Sequence, residues 1–178
     1  MKIKYVDLIE HTFDFPQPEF ELDGENFLFH KIPLMDFIEE HGTQLRFTYL
    51  PQISNQIQRA RTWFQNAMKK VNYRSDYHYC YCTKSSHFKH VLHEALKNNI
   101  HIETSSAYDI NIVEALYKEK KITKSTYIIC NGFKRDAYIE NIARLINNGF
   151  KNTIPVIDNY KELDKLEELI EVPFEVGI

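Results

Sequence analysis

Tyr77-His78-Tyr79-Cys80-Tyr81-Cys82-Thr83 is the stretch on which the fold turns. An aromatic-rich run of this length reads as a strand. Directly after it, Phe88, Val91, Leu92, Ala95 and Leu96 stand at i, i+3, i+4, i+7 and i+8, the spacing of an amphipathic helix, and Ile100 to Glu103 then reads as a second strand. The unit repeats downstream. Thr126 to Cys130, Thr153 to Ile157 and Phe174 to Ile178 read as further strands. Helices fill the gaps, one with its apolar face on Ile110, Val113 and Tyr117, one on Ile139, Ile142, Ala143 and Ile146 before a terminating Gly149, and one on Leu163, Leu166 and Ile170. Ser106 with Asp109 offers a capping box for the first of these. Strict alternation in units of about 25 residues predicts an α/β fold with parallel strands joined by crossovers.

Upstream the pattern changes. Phe20 and Leu22 precede Asp23-Gly24, and Phe27 and Phe29 follow it, which predicts a β-hairpin. Leu34 to His41 reads as a short helix stopped by Gly42, and Leu45 to Tyr49 as a strand. Pro51, whose missing N–H costs nothing in a first helical turn, opens a longer helix. There Ile53, Ile57, Ala60, Phe64, Ala67 and Met68 recur at helical spacing and predict one continuous apolar face. Residues 1–33 thus form an N-terminal hairpin segment, and residues 34–178 an α/β domain. The chain stops inside an apolar fifth strand, so a truncated piece of a longer enzyme is expected.

Composition narrows the function. A chain of 178 residues with 43% hydrophobic and 26% charged residues is ordinary for one globular domain. The net charge of -3 gives no broad basic face for a phosphate backbone, so nucleic acid is not an expected partner. No apolar run approaches the roughly 18 residues that span a bilayer, and a soluble, cytoplasmic protein is expected. Three cysteines without C-x-x-C spacing indicate neither a disulfide framework nor a zinc knuckle. Five glycines, none in a G-x-G-x-x-G or P-loop array, leave a nucleotide-binding domain without its main support.

Lys84 is the sharpest chemical candidate. Period-two alternation places His78, Cys80, Cys82 and Lys84 on one face, with Tyr77, Tyr79, Tyr81 and Thr83 on the other, where bulky tyrosines suit a helix-facing side. The carboxyl ends of strands are where barrels and open α/β sheets build their sites. An amine desolvated there becomes a nucleophile toward carbonyl compounds. The competing reading is a solvated lysine in a strand-to-helix turn. Two architectures fit the alternation: an open doubly wound sheet, and the beginning of a (β/α)₈ barrel, which typically takes ~250 residues.

Three strand-end runs carry a family resemblance. Tyr81-Cys82-Thr83-Lys84-Ser85-Ser86, Ile102-Glu103-Thr104-Ser105-Ser106 and Ile129-Cys130-Asn131-Gly132-Phe133-Lys134 resemble, in that order, the successive motifs of the pyridoxal-phosphate-dependent, barrel-fold (fold type III) amino acid decarboxylases. That family includes the ornithine, diaminopimelate and biosynthetic arginine decarboxylases. The first run is similar to the family's Y-A-V-K, which implies that Lys84 is the catalytic, cofactor-binding lysine. The second is similar to F-D-x-A-S and implies Glu103, in place of the aspartate, as a cofactor-side carboxylate. The third is most similar to the C-N-G-Y-K of arginine decarboxylases. Ile157-Asp158-Asn159-Tyr160-Lys161-Glu162-Leu163 also resembles the V-D-S-x-x-E-L after the family's fourth strand. The likeness runs from about Gly42 to the end, and departs from the family at Cys82-Thr83 and at Glu103.

The resemblance implies the N-terminal half of a TIM-like (β/α)₈ barrel preceded by a short hairpin that belongs with a C-terminal β-domain. It further implies pyridoxal phosphate as cofactor, and decarboxylation of a basic amino acid, most of all arginine to agmatine in polyamine biosynthesis. The full-length enzyme would be a homodimer and the 178-residue piece inactive, since the family's substrate-facing arginine and phosphate loop fall after Ile178. Two alternatives stand beside it. One is a smaller pyridoxal-phosphate barrel of the racemase or cofactor-homeostasis kind, against which the hairpin and Cys130-Asn131-Gly132-Phe133-Lys134 argue. The other is a non-catalytic α/β binding module with Lys84 on its surface.

The remaining features read as structure. His87, His90 and His93 share a helix face without a cysteine or carboxylate at ligand spacing, so no metal site is expected. His78 and His101 are expected to line the strand face, Cys80, Cys82 and Cys130 to pack, and Lys118-Glu119-Lys120-Lys121 to complement a helix dipole.

Overall fold

The computed structural model describes residues 19–24 and 26–178, which fall into two compact units, one up to Thr48 and one from Tyr49 to Ile178. The first unit is an antiparallel meander of β1 (Phe20–Asp23), β2 (Asn26–Phe29) and β3 (Ile32–Pro33), followed by α1 (Leu34–His41). Register pairs Phe20 with Phe29 and Asp23 with Asn26, so the turn falls on Gly24, where φ is +62°. Rings hold it: Phe20 stacks on Phe27 at 5.2 Å, and Phe29 meets Phe47 edge-on at 5.2 Å. Leu45 to Tyr49 is not a strand. Among the described residues it pairs with no β-ladder, and Phe47 is engaged by Phe29 instead. The division after Thr48 leaves α1 with the hairpin, against β2, whereas the sequence reading placed that helix with the α/β domain.

The second unit runs α2 (Pro51–Lys70), β4 (Cys80–Cys82), α3 (Lys89–Leu96), β5 (His101–Thr104), α4 (Ala107–Lys118), β6 (Ile128–Cys130), α5 (Asp136–Asn147), β7 (Thr153–Pro155) and α6 (Tyr160–Leu169). Its four strands are all parallel and stand in chain order. The expected fifth strand, Phe174 to Ile178, shrinks to one parallel bridge between Val156 and Gly177. There the Gly177 N–H donates to Pro155 O and the Ile157 N–H donates to Gly177 O, both at 2.9 Å.

Register separates the two faces of this sheet. Ile102, Thr104, Ile128, Cys130 and Thr153 are at most 1% exposed, and the apolar ones lie under Leu92, Ile110, Val113, Ile139, Ile142 and Leu166 of the helices. Cys80, Cys82, His101, Glu103, Ile129 and Ile154, which pair across the opposite face, are only half-buried. Parallel sheets are ordinarily covered on both faces; here the helices cover one.

Local chemistry explains the helix ends. After α5 the Gly149 N–H donates to Ile146 O at 2.8 Å and the Phe150 N–H to Leu145 O at 3.3 Å, a Schellman closure that needs the φ of +89° glycine supplies. Before α4 the capping box forms from its acid side. Asp109 accepts the Ser105 N–H at 2.9 Å and the Ser106 hydroxyl at 3.1 Å, while the Ser106 side chain caps no helical N–H. On α2 the continuous apolar face ends early. Ile57 is 1% exposed and packs with Ala95 and Ile100, but Phe64 is 51% exposed. Its neighbour α3 has 8 residues against the 20 of α2, and at ~1.5 Å per residue cannot reach along it. Phe88 precedes α3 as its N-cap, exposed, and on α4 Leu116 rather than Tyr117 enters the core.

Candidate functional site

The carboxyl ends of β4, β5 and β6 bring the sequence candidates to one rim. Past β4, the Thr83 N–H and hydroxyl donate to Glu103 O at 3.0 and 3.1 Å, which splices Thr83 to β5 and seals it from solvent. The chain then turns. The Ser85 N–H and hydroxyl both donate to Cys82 O, at 3.1 and 2.7 Å, and the Tyr81 hydroxyl donates to Ser86 O at 3.1 Å. Lys84 sits on the crest of that turn, exposed, its amine held by no hydrogen bond or ion pair among the described residues.

Glu103 lies on the half-open face, level with Cys82 in the register. Its Oε1 accepts from Asn131 Nδ2 at 3.3 Å, and Asn131 Oδ1 in turn accepts the Gly132 N–H at 2.8 Å. Glu103 also acts on Cys80: burial first, and then that carboxylate's charge, push the Cys80 thiol up to about 11. The arrangement therefore offers a free amine on a fixed turn, and a carboxylate on the neighbouring strand oriented by an amide.

Lys134 and Glu162 were assigned no role from sequence, although both stand inside quoted motifs. The Lys134 side chain is fully buried. Its Nζ donates to Gly132 O at 2.9 Å, to Val156 O and to Glu162 Oε2 at 3.3 Å, while its backbone N–H donates to Glu162 Oε1 at 3.0 Å. Glu162 Oε2 also accepts the Asp158 N–H at 3.1 Å. Burial, the largest influence on Glu162, favours its neutral form, but the N–H groups of Lys134 and Asp158 and the nearby ammonium outweigh it and hold the carboxyl below its ordinary range. This strut ties the loop after β6, which carries Asn131, to the loop after β7. The one sequence signal for it was the capping position of Glu162, since Asn159 Oδ1 accepts the Glu162 N–H at 3.2 Å.

At the opposite end of the same face the Tyr127 N–H donates to His101 Nδ1 at 3.2 Å, which leaves the His101 proton on Nε2 to be given to His78 Nδ1, also at 3.2 Å. Burial, then His78 and Arg61, lower the His101 pKa from its ordinary value. His101 lies on the strand face, whereas His78, expected there too, is exposed on the approach to β4; both stand at the end of the sheet away from Lys84. His93, from the histidine row, binds Glu119 at 2.9 Å, and Lys89 binds the same carboxylate at 2.6 Å. Among the described residues, no group of three metal-ligating side chains stands together and no helix is long and apolar enough to cross a membrane.

No protein-family model matches the chain. It is similar to the biosynthetic arginine decarboxylase of Prochlorococcus marinus, with 26% identity over 131 residues that cover 70% of this chain and 19% of that protein. The crystal structure of the biosynthetic arginine decarboxylase SpeA from Campylobacter jejuni superimposes with a TM-score of 0.67 and 18% identity over 90% of this chain and 29% of that one, which establishes a shared fold. The chain thus spans about a fifth of the curated relative's length. Strand-end motifs, aligned sequence and fold converge on the biosynthetic arginine decarboxylases, a part of whose length this chain resembles.

Proposed function

We propose that this chain is the N-terminal half of a (β/α)₈ barrel whose full-length form decarboxylates arginine with pyridoxal phosphate. The observation that carries the reading is the Lys84 amine, without a hydrogen bond or ion pair among the described residues, on a strand-end turn two residues past Cys82, the register partner of Glu103. An amine left free of internal partners at that address fits a carbonyl cofactor, and the parallel strands in chain order, with helices on one face, fit a barrel sector better than a doubly wound sheet, whose order reverses. Lys84 Nζ would hold the cofactor, and Glu103 would stand beside it. When bound, pyridoxal phosphate supplies an electron sink for the pair left behind by departing carbon dioxide. The protein's part is placement: Thr83 and Ser85 fix the turn that aims Lys84, Asn131 orients Glu103, and the Lys134–Glu162 strut steadies Asn131.

The test is borohydride reduction of the full-length gene product with pyridoxal phosphate, followed by peptide mass spectrometry. A single adduct on Lys84, abolished in Lys84→Ala, with carbon dioxide released from arginine faster than from ornithine, lysine or diaminopimelate, is the expected result. Adducts scattered over surface lysines would overturn the reading in favour of a non-catalytic module.

A further inference from the structure

A cleft of about 570 Å³ opens between the starts of α5 and α6, and the proposed reaction makes no use of it. That volume is of the size that holds a small ligand. Completing a barrel does not fill it, because α5 and α6 are already packed neighbours in chain order. Its floor is Ile139, and one wall is the Phe133 ring, which the loop after β6 holds 69% exposed. Most charges along it cancel in pairs. Lys134 is matched by buried Glu162, and Lys165 by Asp136, whose hydrogen bond and charge, with the charges of Glu168 and Glu140, raise the Lys165 pKa. Two cations remain. Arg135, directly before α5, and Lys161, in the first turn of α6, both line the cleft, are exposed, and have no hydrogen bond or ion pair from their side chains among the described residues.

We propose that this cleft is a second binding site, separate from the strand-end rim, for a small phosphate monoester that carries an apolar ring. A phosphate monoester has close to two negative charges at neutral pH, which matches the two uncompensated cations; a single carboxylate would leave one of them unmatched. The Arg135 guanidinium is a fork that grips two phosphate oxygens at once, and Lys161 adds a point charge from the facing helix. The ring of the ligand then covers Ile139 and stacks on Phe133, removing apolar surface from water. The site binds without forming a covalent bond: the phosphate holds Lys161 protonated, Asp136 holds Lys165 protonated, and a carbonyl meets no free amine. Occupancy joins the loop after β6 to α6 from outside, the same two segments that Lys134 and Glu162 tie from within. The inference stands independently of the decarboxylase reading.

Calorimetric titration of the full-length gene product with phenyl phosphate, inorganic phosphate and phenol tests it. Phenyl phosphate has no carbonyl and forms no adduct with Lys84, so the result does not depend on aldimine chemistry. It should bind about tenfold more tightly than inorganic phosphate, and phenol should not bind. Arg135→Gln and Lys161→Gln should each weaken phenyl phosphate about tenfold, with unchanged circular dichroism since both side chains are exposed. Phe133→Ala should bring phenyl phosphate down to the affinity of inorganic phosphate. Phenyl phosphate should also slow acetylation of Lys161, read by peptide mass spectrometry, while leaving exposed Lys151 as reactive as before. Affinity indifferent to Arg135→Gln and Lys161→Gln, no protection of Lys161, or phenol binding as tightly as phenyl phosphate would overturn the inference. Binding lost in Lys84→Ala but kept in the cleft variants would place the anion on the strand-end rim and overturn it too.

Discussion

The two faces of the parallel sheet are built from the same strands, residue by residue in alternation, and they do opposite work. Ile128 and Ile129 are neighbours on β6; the first is sealed beneath α4 and α5, the second half-open beside Glu103. The covered face carries Ile102, Ile128 and Cys130 with two threonines, of which Thr104 shares a hydrogen bond with the Tyr138 hydroxyl. The open face sets the thiols of Cys80 and Cys82, the His101 imidazole and the Glu103 carboxylate beside Ile129 and Ile154. Stability is thereby concentrated on one side, which leaves the other free to carry groups that would be costly inside a core.

That division can be broken at its strongest point first. Ile128→Ala should cost about 4 kcal/mol of unfolding free energy and Ile129→Ala under about 1, read from urea denaturation; equal losses would mean that both faces carry the fold. Lys134→Met should cost about 3 kcal/mol, because it strands the Glu162 carboxylate in a buried site without its cation. The same pair predicts an acid limb. A carboxyl with a lowered pKa in the folded state stabilises fully above its unfolded value of ~4.3, and that contribution is lost as pH falls through the lower folded value. Glu162→Gln should flatten the limb. A smaller effect belongs to His101, whose lowered pKa means that the unfolded chain binds a proton more readily. Stability should therefore decline as pH falls below ~6.5, and His101→Gln should remove that decline. The smallest effect is confined to reactivity. Glu103→Gln removes a negative charge facing Cys80, whose thiol sits at about 11, so alkylation of Cys80 at pH 9 should quicken several-fold with no change in stability.

Much of this molecule was legible beforehand, for identifiable reasons. The hairpin around Gly24, the proline start of α2 and the Gly149 stop of α5 each rest on backbone chemistry confined to a few residues, and each formed where expected. So did the covered face, since Ile139, Ile142, Ala143 and Ile146 can bury together only on a helix. What failed depended on partners. Leu45 to Tyr49 had the composition of a strand but joins no β-ladder among the described residues, and Phe64 had the right spacing on a helix longer than its neighbour. At the site, Lys84 and Glu103 were found by address, at the ends of strands. Lys134 and Glu162 lie 28 residues apart, and only folding shows that one buries the other's charge.

Strands that stand side by side in the order of synthesis have a consequence for how the unit is born. Each βα element touches the one made before it, so an emerging segment can dock as soon as it clears the ribosome, with no need to await a distant stretch of chain. Growth then proceeds from β4 toward β7 like bricks laid against a rising edge.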